Sequence, residues 1–208
     1  MRGRRGIAGK GRRAASVVLV LGVMLGMTAC ANDPLADQYR SGDNKGYIAG
    51  DFRVVEIPAD QRGPAVEFAG TTESGEAVSS SDYADEVLVV NFWYAACGPC
   101  RAEAPVLESV WKRFDGQGAS FLGVNSYDQA ATAASFAQDY GVTYPSVIDI
   151  NDKKVTLAFA AVAPLSATPV TLVLDTQGRV AARIIGAVSE EDESILSSLV
   201  SDAIAETS

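Results

Sequence analysis

Histidine is absent from all 208 residues, and cysteine occurs only at Cys30, Cys97 and Cys100. The first absence excludes c-type haem attachment, which needs His directly after the second cysteine of a Cys-x-x-Cys pair, where this chain has Arg101. It also excludes histidine-bearing zinc and copper sites, and a lone thiolate pair supplies only two of the four ligands of a structural zinc. No metal is therefore expected. Positive charge is scarce beyond the start of the chain. Arg2, Arg4, Arg5, Lys10, Arg12 and Arg13 all precede the first acidic residue, Asp33, and setting them aside leaves 11 of the 17 basic residues against 26 acidic ones, a formal balance of −15. Such a body repels nucleic acid, so no nucleic-acid partner is expected and the basic start reads as an address. Long apolar runs are also missing. The longest, residues 14–27, would reach about 21 Å as a helix, short of the roughly 30 Å hydrocarbon core of a bilayer. Gly6, Gly9 and Gly11 have no strand before them and no Ser or Thr after Lys10, so they do not make a phosphate-binding loop.

What is present at the start is an arginine-rich segment, then the apolar run, then Thr28 and Ala29 before Cys30. That is the layout of a signal peptide over residues 1–29. Met27-Thr28-Ala29-Cys30 resembles a bacterial lipobox, with Met27 where leucine is usual, which makes Cys30 a lipidation candidate. An ordinary signal peptide with an incidental cysteine is the alternative, and Arg12-Arg13 leaves twin-arginine export open beside the general route. Residues 30–47 are polar, without aliphatic periodicity, and read as a flexible tether. Residues 48–208, within a chain of 48% hydrophobic content, suffice for one globular domain.

Within that domain strands and helices alternate. Residues 52–57 and 65–69 are predicted as short strands, and 70–81 as a turn-rich stretch. Residues 87–93 form a continuous apolar run broken only by Asn91, the pattern of a central strand buried on both faces. A helix is predicted over 97–114, with Val106, Leu107, Val110, Trp111 and Phe114 on one stripe and a kink at Pro105. Strands at 119–124 and 145–150 alternate with helices at 129–140 and 153–160. Residues 170–175 and 180–186 flank Thr176-Gln177-Gly178-Arg179 as a hairpin. A last helix begins after Ser189, with Asp192 completing a capping box. Early parallel crossovers followed by a late hairpin predict an α/β fold with a central mixed sheet and helices on both faces.

Cys97-Gly98-Pro99-Cys100 stands where the central strand passes into a helix. A cysteine at a helix N-terminus faces unpaired N–H groups and the positive end of the helix dipole, both of which favour thiolate. Cys97 is thus the expected exposed nucleophile, and Cys100, one turn on and more buried, the resolving thiol. Gly98 permits the tight geometry, and Pro99 is tolerated in a first helical turn because its missing N–H has no partner there. A structural disulfide closing so small a loop would stabilise little. No cofactor is expected other than a redox-active Cys97–Cys100 disulfide.

Asn91-Phe92-Trp93, Cys97-Gly98-Pro99-Cys100-Arg101-Ala102-Glu103 and Pro105 together resemble the TlpA and ResA branch of the thioredoxin superfamily, over roughly residues 64–204. The resemblance implies a thioredoxin-like fold and a membrane-tethered, extracytoplasmic thiol-disulfide oxidoreductase acting on exported thiol proteins, such as apocytochrome c before haem attachment. It further implies a membrane electron donor of the DsbD or CcdA type. By the same resemblance Thr168-Pro169 matches the family's cis-proline beside the cysteine pair, with Pro145 and Pro164 as rivals, and residues 161–167 form a longer connection than usual. Asn91 stands where cytoplasmic thioredoxins carry a buried aspartate. Glu103 matches an acidic residue implicated in ResA-like proteins, and a carboxylate near Cys100 is a candidate acceptor of its proton; the alternative is a surface glutamate well placed for the helix dipole. Arg101 is expected to pair with nearby acids, and Trp93 and Tyr94 to shield the disulfide, with Trp93, Gly98, Pro99 and Thr168 meeting substrate. Three functions stay open: a reductant of exported proteins, an oxidase that inserts disulfides, and a lipoprotein binding module. A single-cysteine peroxidase is more remote.

Overall fold

The computed structural model describes residues 53–163 and 167–206. The expected signal peptide, Cys30, the tether, the first residues of the expected domain and Pro164 lie outside the described residues. Within them the chain forms β1 (Val54–Glu56), β2 (Ala69–Thr71), β3 (Ala77–Ser79), β4 (Val87–Trp93), α1 (Gly98–Phe114), β5 (Ala119–Asn125), α2 (Ala130–Tyr140), β6 (Ser146–Ile148), α3 (Lys154–Phe159), β7 (Val170–Leu174), β8 (Val180–Ile185) and α4 (Glu193–Ala205). Among these helices none is long and apolar enough to cross a membrane.

Six strands make one sheet in the order β1-β8-β7-β4-β5-β6, parallel from β4 to β6 and antiparallel from β4 through β7 and β8 to β1. This is the expected mixed sheet, with β4 at its centre. All seven residues of β4 are buried, because both of its faces are covered. Alternation along the strand divides them. Val87 and Val89 pack with Val106, Leu107 and Val110 of α1 and Leu196, Leu199 and Val200 of α4. Leu88, Val90 and Phe92 face the other way, onto Val155 and Phe159 of α3 and onto Val66 and Phe68. Each fully buried Leu, Val or Phe of this kind contributes about 1.5–3 kcal/mol relative to exposure.

The predicted strand at 65–69 is corrected. Val66 and Phe68 are buried, but residues 65–68 join no ladder; the Val66 N–H donates to the Gly178 carbonyl at 2.9 Å. Their alternation came from packing on the sheet rather than from pairing within one. The pairing begins at Ala69 and runs through the stretch read as turns, where β2 meets β3 antiparallel. Gly70 is needed there because a Cβ would lie 2.5 Å from Val147 Cγ1. Helix α1 continues through Pro105 to Phe114, and Lys112 and Arg113 complement the dipole at its end. Before α4 the capping box at Ser189 closes a short 3-10 turn, Glu190–Asp192, rather than the α-helix itself. At the β7–β8 turn, the Asp175 carboxylate accepts from the N–H groups of Gln177 and Arg179 and pairs with Arg179 and the buried Arg62, which also reaches Glu206.

Candidate active site

The register of β4 sets the site. Asn91 lies opposite Gly123 on β5 and Thr171 on β7, and Trp93 lies opposite Asn125. Asn91 and Trp93 share the face that α1 covers, so the end of the strand delivers both beneath the start of that helix. Cys97 is the N-cap of α1; its sulfur accepts the Cys100 N–H at 3.0 Å, and the two cysteines are joined by a disulfide with Cα atoms 5.2 Å apart. Both are buried, Cys97 at 3% and Cys100 at 2% exposure. This corrects the expectation of an exposed Cys97. In the disulfide form its sulfur is turned in toward Cys100, and the pair packs in a cluster with Trp93, Ala104, Ala133 and Phe136. Gly98 and Pro99 are exposed and form the outer surface of the turn.

Trp93 is 6% exposed, stacks on Phe136 with ring centres 4.3 Å apart and donates its indole N–H to Ser146 Oγ at 3.2 Å. It is a core residue under the disulfide. Gly123 makes room for it: a Cβ there would stand 2.7 Å from the Trp93 indole nitrogen and 2.2 Å from Ser146 Oγ. Tyr94, only partly buried, stacks on Tyr127 at 4.8 Å.

Glu103, three residues beyond Cys100 and hence on the same side of α1, is 1% exposed. The surface alternative is thereby excluded. Its two carboxylate oxygens accept from Asn91 Nδ2 at 2.9 Å and from the Val188 N–H at 2.9 Å. The second Asn91 amide hydrogen goes to Thr171 Oγ1 at 3.1 Å, so both are used. Burial pushes the Glu103 carboxyl up to about 7, and the two hydrogen bonds pull against it. Thus Asn91, in the position where cytoplasmic thioredoxins carry a carboxylate, here holds one supplied by the helix. A void of about 10 Å³ beside Asn91, Trp93, Cys100 and Tyr144 is large enough for no more than one water.

The Thr168–Pro169 peptide bond is cis. It immediately precedes Val170, which pairs with Phe92, so the turn sits at the end of the sheet where β4 gives way to the cysteines. Pro145 has a trans bond and directly precedes β6, as expected of a strand start. The Pro169 carbonyl is held by the Gly186 N–H at 2.8 Å, two residues before Val188. Arg101 departs from expectation. Its guanidinium donates to the Ala95 carbonyl at 3.0 Å and so braces the turn before Cys97.

Three residues at this site escaped the sequence reading. Asp128 accepts the Ala95 N–H at 2.6 Å; Asn125 fixes Asp128 in turn by donating to its carboxylate at 2.9 Å and accepting its N–H at 2.8 Å. Ser146 anchors Trp93 from β6. An Asn three residues before an Asp at the end of an apolar strand is a side-chain turn signal that would have marked the first pair. A glycine inside an apolar strand would have marked the crowding at Trp93 and Ser146.

The sequence profile of the AhpC/TSA family matches residues 62–183. The thiol-disulfide oxidoreductase ResA of Geobacillus kaustophilus is 33% identical over 128 residues, 62% of this chain and 71% of that protein. Among solved structures, a DsbF homologue from Corynebacterium diphtheriae superposes with a TM-score of 0.64 at 30% identity, over 76% of this chain and 98% of the other. A secreted thiol-disulfide isomerase from Corynebacterium glutamicum superposes with a TM-score of 0.64 at 26% identity, over 75% and 99%.

Proposed function

Because this chain belongs to the AhpC/TSA family and is a thiol-disulfide oxidoreductase of the ResA type, we propose that it works outside the cytoplasmic membrane, tethered by a lipid on Cys30, and reduces disulfides of exported proteins. Apocytochrome c awaiting haem is the favoured substrate, and a membrane dithiol donor of the DsbD or CcdA type returns the electrons. The observation that carries the reading is the placement of Cys97 at the cap of α1 with its sulfur on the Cys100 N–H, in the same helix as the buried Glu103 three residues beyond Cys100.

In the reduced protein the same N–H and the helix dipole favour a Cys97 thiolate. That thiolate attacks one sulfur of the substrate disulfide; the substrate bond breaks, its other sulfur leaves as thiolate and takes a proton, and a mixed disulfide joins Cys97 to the substrate. Cys100 gives its proton to Glu103 and attacks the Cys97 sulfur. The mixed disulfide breaks, the second substrate thiol departs, and the Cys97–Cys100 disulfide is left. Two electrons pass to the substrate, and the donor dithiol restores them. Thr168, set by the cis bond to Pro169, offers backbone to the substrate chain, with the exposed Gly98 and Pro99 beside the sulfur and Trp93 supporting the pair from below.

The test is trapping. Cys100→Ala is expected to accumulate a mixed disulfide on Cys97 with an exported protein, and Cys97→Ala to accumulate none; equal capture by both variants overturns the assignment of roles. Cys30→Ala is expected to move the protein from membrane to soluble fraction.

A second reading has its own support. The two Corynebacterium proteins, each matching about three quarters of this chain, are named as a DsbF homologue and a disulfide isomerase. In that reading the Cys97–Cys100 disulfide is passed to reduced exported proteins, and the reduction potential separates the two.

A further inference from the structure

We propose that a recess of about 160 Å³ beside the cysteine pair is a subsite for one acidic side chain of the protein substrate, with the Lys153 ammonium as its countercharge; this rests on the thiol-exchange reading above. Trp93, Ser126, Tyr127, Lys153, Thr156 and Thr168 line it. Two of these, Trp93 and Thr168, belong to the strand end and the cis turn that frame the cysteines, so a chain whose disulfide lies at Cys97 has its neighbouring residues at the mouth of the recess. The volume is well below that of a small-molecule pocket and suits a single side chain.

Its chemistry follows from how its polar groups are committed. Thr156 gives its one hydroxyl hydrogen to Asp149 Oδ2 at 2.6 Å, so in the 2.7 Å contact with Ser126 Oγ it is Ser126 that donates. Both hydroxyl hydrogens are spent within the wall. Lys153 bonds the Ser126 carbonyl and lies 4.7 Å over the centre of the Tyr127 ring, which leaves an ammonium hydrogen unspent. The acids nearest in sequence do not line the recess and are already bonded, Asp149 from behind its wall through Thr156. Asp128 holds Ala95 and Asn125, Asp149 caps α3 through the N–H groups of Val155 and Thr156, and Asp152 pairs with Lys154. Among the described residues Lys153 is thus the one charged side chain that lines the recess, on a chain that is otherwise strongly acidic. A basic substrate side chain is repelled there, and a neutral one displaces water from the ammonium without adding a countercharge to the Ser126 carbonyl and the Tyr127 ring.

The backbone supports a dedicated placement. Lys153 has φ +57, a left-handed conformation that a lysine adopts at a cost, and its N–H and carbonyl are fixed by Asp149 O at 3.1 Å and the Leu157 N–H at 2.8 Å. Tyr127, 60% exposed, is the outer wall, held by its stacking on Tyr94.

The test uses the reduced full chain in detergent and three disulfide-bonded peptides that differ only in the two residues flanking one cysteine, which are Glu, Gln or Lys. The second-order rate of reduction is expected to be about tenfold higher for the Glu peptide than for the Lys peptide, equivalent to about 1.4 kcal/mol. Lys153→Gln brings the ratio toward one and Lys153→Glu inverts it, whereas Lys154→Gln, one residue along and outside the recess, keeps it. Equal rates for the three peptides with the unmodified chain overturn the subsite, as does an equal change of ratio in the Lys153→Gln and Lys154→Gln variants, which would mark a general field. Should the chain reduce neither the peptides nor a small aromatic disulfide, the thiol-exchange reading fails and the subsite with it.

Discussion

Asn91 Nδ2 stands 2.9 Å from Glu103 Oε1, a bond between the central strand and the first helix formed wholly in the interior. It joins the position where cytoplasmic thioredoxins carry a carboxylate to the carboxylate this chain has instead. The register of β4 brings Thr171 to the other hydrogen of the same amide, and Val188 completes the second oxygen of Glu103. One buried acid of α1 is thereby tied directly to β4 and to the segment that holds Val188, and through Asn91 to β7.

That acid gives the stability a defined pH dependence. The folded-state value of Glu103, about 7, lies above its ordinary 4.5, so between those limits the folded protein binds the extra proton. Stability therefore falls as pH rises through this window and levels off above it, by about 3 kcal/mol at 1.36 kcal/mol per unit. Urea unfolding of the oxidised protein at pH 4.5, 6 and 8 checks this. Glu103→Gln removes the slope, and places an amide N–H against the donor of either Asn91 or Val188.

Asn91→Asp puts a second carboxylate within hydrogen-bonding distance of Glu103. Like charges at that range cannot both ionise, so one proton is held to higher pH. The pH at which stability levels off is expected to move up by at least one unit. Asn91→Leu lacks the charge and leaves Glu103 Oε1 and Thr171 without a partner, with an expected loss of about 1–3 kcal/mol.

Asp128→Ala strips the Ala95 N–H of its acceptor two residues before Cys97. A loss of about 1–3 kcal/mol is expected, with faster amide exchange confined to residues 94–97 and 125–128. Asp128→Asn keeps an acceptor oxygen and recovers part of both effects.

Gly123→Ala forces a methyl group between Ser146 and Trp93. Overpacking of this kind costs about 1–3 kcal/mol. Breaking the Trp93–Ser146 bond should also change the tryptophan fluorescence of the oxidised protein, and an unchanged spectrum would show that the strand yields instead.

Far from the cysteines, Arg62 has a side chain 2% exposed between Asp175, itself 3% exposed, and Glu206. Asp175→Ala removes this partner, the Arg179 pair and the acceptor of the β7–β8 turn together. An expected loss of about 3–5 kcal/mol follows from leaving a buried cation with one rim carboxylate, while the exchange rate of the folded fraction stays at the unmodified level.

The parts of this architecture that rest on local pattern were legible in the sequence. The apolar run of residues 87–93, broken only by Asn91 and followed by the cysteine pair, marked a strand buried on both faces, and α1 was marked by its cap, its proline and its stripe. Glu103 was more legible than the two readings given to it, since Val106, Leu107 and Val110 lie three, four and seven residues on and place it on the buried stripe. The long-range partners were not legible. Asp128 meets Ala95 across 33 residues, and Val188 meets Glu103 across 85, separations that no periodicity records. Residues 65–69 misled for a related reason, because alternation reports burial and not the partner that provides it.

The measurement that tests the account most directly is the equilibrium reduction potential of the Cys97–Cys100 pair, read against glutathione and dithiothreitol buffers. A reductant of exported proteins requires a value at or below that of thioredoxin, about −270 mV, and this is the result expected. A value near that of a disulfide-inserting protein, about −120 mV, would contradict it and turn the same site to oxidative folding.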